Sequence, residues 1–130
     1  MRKVRINRAK WRCGGFFGHG SKNRSSDIFD TSSTCLNDGE FRCCLGFAAN
    51  QLGRVLYKDM LYLDSPAALS KKIEPFSEND RSFLNNTEFA DQCMIVNDDA
   101  SISNKMREYK LKRKFKSQDI DLQFYGKYNE

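Results

Sequence analysis

The stretch that most narrows what this chain can become is Leu36-Asn37-Asp38-Gly39-Glu40-Phe41-Arg42, followed at once by Cys43-Cys44-Leu45-Gly46-Phe47. Asn37-Asp38-Gly39 supplies the backbone freedom of a tight turn, so the segment predicts a hairpin. Beyond it, Leu45, Phe47, Ala48, Ala49 and Leu52 are spaced for one face of a short helix ending near Gly53. Two adjacent cysteines therefore stand where a strand hands over to a helix N-terminus, a position that can lower a thiol pKa.

The remaining elements follow from periodicity and capping signals. Lys3 to Asn7 alternates charge with Val4 and Ile6 and predicts a short strand. Residues 13–34 are rich in Gly, Ser, Asn and Thr without a period and predict a long loop. Residues 55–63 form an apolar patch of ambiguous period. Ser65-Pro66 is a helix start running to about residue 72, residues 74–86 read as irregular, and Thr87 caps a short helix through Cys93. Ser103 caps a longer helix to about Lys116, and Ile120, Leu122 and Phe124 alternate with polar neighbours as a closing strand. The result is an α+β fold: one small domain over residues 1–130, with a few-stranded sheet made of the N- and C-terminal strands plus a hairpin. Three to four short helices pack against it, and the first and last strands are expected to be neighbours.

Composition excludes several classes. Ten Phe, five Tyr and one Trp give 130 residues enough apolar surface to offset the cost of ordering the chain. Apolar runs are too short to span a membrane, and the basic N-terminus lacks the apolar core of a signal peptide. An odd number of cysteines, two of them adjacent, is a poor disulfide framework. A cytoplasmic protein with no membrane partner is expected. Charge is unevenly placed: residues 1–24 carry a net +8, residues 25–104 a net −7 and residues 105–116 a net +6. Two basic segments around an acidic middle suit either internal neutralisation or an anionic partner.

Chemistry has few candidates. Cys43 or Cys44 could act as a nucleophile with His19, the sole histidine, as base and Glu40 or Asp38 orienting it. Buried packing is the favoured reading, since free cysteine often behaves as a small hydrophobe. Cys13, His19, Cys35, Cys43, Cys44 and Cys93 include enough donors for zinc, but no Cys-x2-Cys or His-x3-His spacing occurs, so no metal or other cofactor is expected. Asn97-Asp98-Asp99 lacks the pattern of a calcium loop and reads as a turn with local capping. Along the 103–116 helix, Leu111 and Phe115 share one side with Glu108. Tyr109 and Met106 lie opposite, bordered by Lys110, Arg113 and Lys114, while Lys105, Lys112 and Lys116 fill another flank. Arg5, Arg8, Trp11 and Arg12 form a second basic cluster, in which Trp11 either anchors the core or stacks on a partner.

Ile6-Asn7-Arg8 with Trp11, Leu36-Asn37-Asp38-Gly39 leading into Cys43-Cys44-Leu45-Gly46-Phe47, Asn97-Asp98-Asp99, Arg107-Glu108, Leu111, Phe115 and Ile120-Asp121-Leu122-Gln123-Phe124 carry a resemblance. The chain resembles a group of small, functionally uncharacterised proteins encoded by tailed phages and prophages. The resemblance implies a phage accessory gene acting in the cytoplasm of an infected bacterial host, and it implies no activity. The expectation is a non-enzymatic protein that binds a host or phage macromolecule, a protein partner first. The alternatives are a nucleic-acid-binding protein using residues 2–12 and 105–116, then a cysteine-dependent enzyme.

Overall fold

In a computed structural model of the chain, residues 1–13, 36–37, 39, 41–61, 63, 86–99 and 101–128 are described. Strand β1 (Arg2–Asn7) buries Val4 and Ile6 on one face and exposes Lys3 and Arg5 on the other, as strand alternation requires. Helix α1 (Cys44–Gly53) follows, then α2 (Thr87–Asp98), α3 (Asn104–Lys116) and strand β2 (Ile120–Tyr125). Among the described residues the sheet has two strands, and they are parallel: Arg2 pairs with Ile120, Val4 with Leu122 and Asn7 with Tyr125. The expected neighbours are thus confirmed within an α+β fold. Arginine side chains brace both ends of the ladder, Arg2 Nη2 donating to the Gln118 carbonyl at 3.2 Å and Arg8 Nη1 to that of Gly126 at 3.1 Å.

A parallel pair needs cover on its faces and edges. Helix α1 packs on β1, α3 packs on β2, and α2 bridges the two helices. Gln51 of α1 reaches the outer edge of β1 and mimics a third strand: its Oε1 accepts from the Arg5 amide and its Nε2 donates to the Arg5 carbonyl, both at 2.6 Å. The core joins Val4, Ile6, Leu45, Phe47, Leu111, Phe115, Ile120 and Leu122. Fully burying a Leu, Ile or Phe side chain contributes about 1.5–3 kcal/mol, so this cluster supplies most of the drive to fold. Phe89 of α2 meets Phe115 of α3 edge to face at 5.4 Å between ring centres.

The helices begin as local chemistry dictates, with one correction. Ser103 Oγ accepts from the Met106 amide at 3.1 Å and starts α3 where expected. For α2 the cap is Asn86, whose Oδ1 accepts from the Phe89 amide at 3.1 Å, and not Thr87. That helix also runs on to Asp98 rather than ending at Cys93, because Phe89, Ala90, Cys93, Val96 and Asn97 all face inward at helical spacing. The expected helix over 65–72, the irregular segment 74–86 short of Asn86, and the loop over 14–34 lie outside the described residues.

The hairpin is a further correction. Its turn chemistry is present: Gly39 has φ +101°, a region that favours glycine, and its amide donates to Asn37 Oδ1 at 3.0 Å. The flanks do not pair with each other among the described residues. Asn37 forms a parallel bridge to Leu61, and Arg42 a parallel bridge to Trp11. Each flank finds a backbone partner elsewhere in the chain.

Candidate functional site: the basic face of helix α3

Two expectations, Trp11 as a contact residue and Asn97 in a turn, give way to burial. Trp11 is fully buried, packed 4.9 Å from the Phe124 ring, with its Nε1 donating to Asn97 Oδ1 at 2.7 Å. It anchors the core and offers no surface to a partner. Asn97, expected in a turn, is also fully buried, in the last turn of α2. Its Oδ1 accepts a second bond, from the Cys44 amide at 3.1 Å, and its Nδ2 donates to the Arg12 carbonyl at 3.0 Å and to Asp98 Oδ1 at 2.9 Å. Cys43, the N-cap of α1, makes no side-chain capping bond, so Asn97 supplies from another helix the acceptor that the first turn of α1 needs.

The cysteines follow the packing reading. Cys43 and Cys44 do stand at a helix N-terminus, but both are fully buried. Burial pushes the Cys44 thiol well up, and the neighbouring Cys93 and Cys43 push it further, outweighing the downward pull of the Leu45 amide. Burial likewise raises Cys13 and Cys93 to about 12. None of these three is a thiolate at neutral pH. His19, the proposed base, and Cys35 lie outside the described residues. Among the described residues no three His, Cys, Asp or Glu side chains converge on a point where a metal ion could sit.

These thiols make the fold sensitive to base. Their folded pKa values lie above the unfolded value near 9, so below pH 9 the thiols are protonated in both states and their full contribution is present. As pH rises through the window from 9 to 12 the unfolded chain ionises first, and each thiol withdraws about 1.4 kcal/mol per pH unit. The melting temperature should fall steeply between pH 9 and pH 10.5, and Cys93→Ala should flatten that fall. A melting temperature that stays level to pH 10.5, or rapid native alkylation of Cys44 at pH 8, would overturn the assignment.

The N-terminal arginines are largely engaged within the fold. Arg5 lies over the Tyr125 ring at 4.6 Å and Arg12 over Phe41 at 5.0 Å. Arg8 makes a forked ion pair with Glu108 of α3, Nη2 donating to Oε1 at 2.7 Å and Nε to Oε2 at 2.9 Å. Tyr128 Oη donates to the same Oε2 at 2.5 Å. Burial alone raises the Glu108 carboxyl, but the bonds from Arg8 and Tyr128 outweigh it and hold the group below the usual carboxylate range. Burial, then the bond to Glu108, push the Tyr128 phenol far up.

Helix α3 keeps its own cations outward. Leu111 and Phe115 are buried as expected, and so is Arg107, one turn before Leu111 on the same stripe. Arg107 Nη1 donates to Asn104 Oδ1, and Nη2 to the carbonyls of Asp99 and Ile102, tying down the chain that leads into α3. On the opposite side Tyr109 is 55% exposed and Met106 44%. Lys105, Lys110, Lys112 and Arg113 are exposed, and none of them forms an ion pair among the described residues. Lys114 is half-buried and donates to Gln92 Oε1 at 3.3 Å.

Tyr109 stands between two open clefts. One, of about 700 Å³, lies between α3 and the segment after β2, with Lys105, Tyr109 and Lys112 on one wall and Lys127 and Tyr128 on the other. The second, of about 570 Å³, lies between α2 and α3 and is lined by Tyr109, Lys110, Arg113 and Lys114 among others. The structure therefore gathers Lys105, Tyr109, Lys110, Arg113 and Lys114 on one surface and separates from them Trp11, Arg12 and Arg5. Lys112, which helical geometry puts on a flank with Lys105 and Lys116, lines the larger cleft, and so does Lys127, which was not singled out from the sequence. The spacing of Lys105 and Lys112, seven residues and two turns apart on one face, was the available signal for the first. No local pattern points to the second.

No helix among the described residues is long and apolar enough to cross a membrane. Comparison of the chain with models of protein families, with curated proteins and with solved structures gave no match.

Proposed function

We propose that this is a non-enzymatic accessory protein of phage type, acting in the cytoplasm of an infected bacterial cell, that captures an anionic macromolecule on the exposed face of α3. One observation carries this reading. The only carboxylate on α3, Glu108, is already neutralised by Arg8, while Lys105, Lys110, Lys112 and Arg113 surround exposed Tyr109 and form no ion pair among the described residues. A cluster of exposed cations speeds encounter with an anionic partner, and an exposed aromatic ring gives it a contact point. Burial of Cys43 and Cys44 weighs against a cysteine nucleophile and so against the enzyme reading.

The test is a pair of triple charge reversals measured on an immobilised sulfated polyanion. Lys110→Glu, Arg113→Glu and Lys114→Glu together should make the salt dependence of binding shallower by about two to three units. Lys3→Glu, Lys10→Glu and Lys58→Glu together change net charge equally at exposed positions elsewhere and should change it far less. Circular dichroism of the α3 triple should match the parent, because Leu111 and Phe115 stay packed. Equal losses from both triples would reduce the effect to bulk charge and overturn the assignment to α3.

A further inference from the structure

The two clefts differ from a flat basic patch in one respect that bears on what fills them. They share one aromatic ring, Tyr109, and the Arg113 guanidinium of the smaller cleft lies 5.8 Å from the centre of that ring. In the larger cleft, Lys105 and Lys112 stand on α3 about 10 Å apart along the helix axis, at 1.5 Å per residue, and Lys127 faces them from the segment after β2. Beyond Tyr109, Lys110, Arg113 and Lys114 continue the positive surface into the smaller cleft. Glu108 does not oppose an anion here, since Arg8 engages both of its oxygens and Tyr128 adds a bond to one of them.

From this arrangement we infer that the face takes a single-stranded nucleic acid, with backbone phosphates in the two clefts and a base stacked on Tyr109 between them. The inference rests on the α3 binding reading and deepens it by naming the ligand. Three physical arguments support it. Lysine dominates the surface, whereas cores of protein–protein interfaces are depleted in lysine. Phosphates ask for point charges with little geometric demand, which flexible lysines meet. An exposed ring between two cationic clefts meets a base face only where bases are unstacked, and so favours a single strand over a duplex.

The experiment is fluorescence anisotropy with a labelled twenty-nucleotide oligothymidylate, a duplex of the same length, and a labelled polyglutamate, each over a range of salt. The single strand should bind at least about ten-fold more tightly than polyglutamate and more tightly than the duplex. Tyr109→Ala should weaken single-strand binding about ten-fold, and Tyr109→Phe, which keeps the stacking surface, should restore it. Lys105→Ala, Lys112→Ala and Lys127→Ala should each lower the salt slope by about 0.7. Polyglutamate binding as tightly as the oligonucleotide, with Tyr109→Ala neutral, would overturn the nucleic-acid inference and leave α3 as a face for an acidic protein. Duplex preference would overturn the single-strand assignment. Absence of binding to all three probes at low salt would overturn both this inference and the reading it rests on.

Discussion

Asn97→Ala should lower the free energy of unfolding by about 4 kcal/mol, out of a total of about 5–15 kcal/mol typical for a domain of this size. Asn97 uses all of its hydrogen-bonding capacity, two accepting and two donating positions, inside the core. Truncation leaves the Trp11 indole N–H, the Cys44 amide and the Arg12 carbonyl without this partner, and each unsatisfied buried group costs about 1–3 kcal/mol. These losses are coupled, so their sum is an upper bound. Denaturant unfolding followed by the fluorescence of Trp11, the single tryptophan, measures the effect directly. A loss under 1 kcal/mol would mean that the network is not a stabilising hub. Asn97→Asp sharpens the test, since it preserves both accepted bonds and forfeits the donor to Arg12. A carboxyl placed there, beside Asp98 and out of water, would have a raised pKa. The stability gap between that variant and the parent should therefore narrow from pH 7 to pH 4, opposite to the ordinary carboxylate trend.

Gly46→Ala should destabilise by about 3 kcal/mol or more, at or beyond the upper end of ordinary overpacking. Helix propensity alone forecasts the opposite sign, because alanine is favoured over glycine inside a helix by about 1 kcal/mol. The reversal comes from one close approach. A Cβ on Gly46 would lie 1.9 Å from the backbone oxygen of Leu36 and 3.3 Å from Arg42 Cβ. Neither obstacle is the movable end of a side chain. Leu36 is itself fixed, fully buried and donating its amide to the Leu63 carbonyl at 2.6 Å. Relief thus requires α1 to lift away from the chain at Leu36, which would loosen the Asn97 contact to Cys44 as well. A variant with unchanged or increased stability would show that α1 does not lie this close to Leu36.

How much of this was legible in the chain depends on whether the deciding interaction is local. Helix α3 and strand β2 were readable because Ser103, Leu111, Phe115, Ile120 and Leu122 encode cap and period within a few residues of each other. Their neighbours also place Tyr109 and its flanking cations outward from helical geometry alone. The turn at Gly39 was equally local and correct. What the turn connects was not, since its flanks bridge to Trp11 and Leu61 and no short-range pattern specifies those partners. Asn97 was misread for the same reason: Asn-Asp-Asp is strong turn chemistry, and only the arrival of Trp11, Arg12 and Cys44 converts it into a helical hub. Arg107 shared the Leu111 and Phe115 stripe, so its inward position was encoded, but a cation on an apolar stripe is ordinarily read as solvent-facing. The thiols show the limit of positional reasoning, because a helix N-terminus favours a thiolate only where water or a cation can reach it.

The ladder between β1 and β2 has a mechanical meaning. Its strands run the same way, so a pull on the chain ahead of Arg2 and beyond Tyr125 drags the two strands past one another lengthwise. In that shearing geometry the inter-strand bonds share the load together instead of opening one after another like a zip. The arginine braces at Gln118 and Gly126 sit at the two ends of the ladder and share it. Resistance to force is governed by the rate of unfolding rather than by equilibrium stability. A domain of only modest thermodynamic stability can therefore act as a stiff fastening when tension reaches it through its ends.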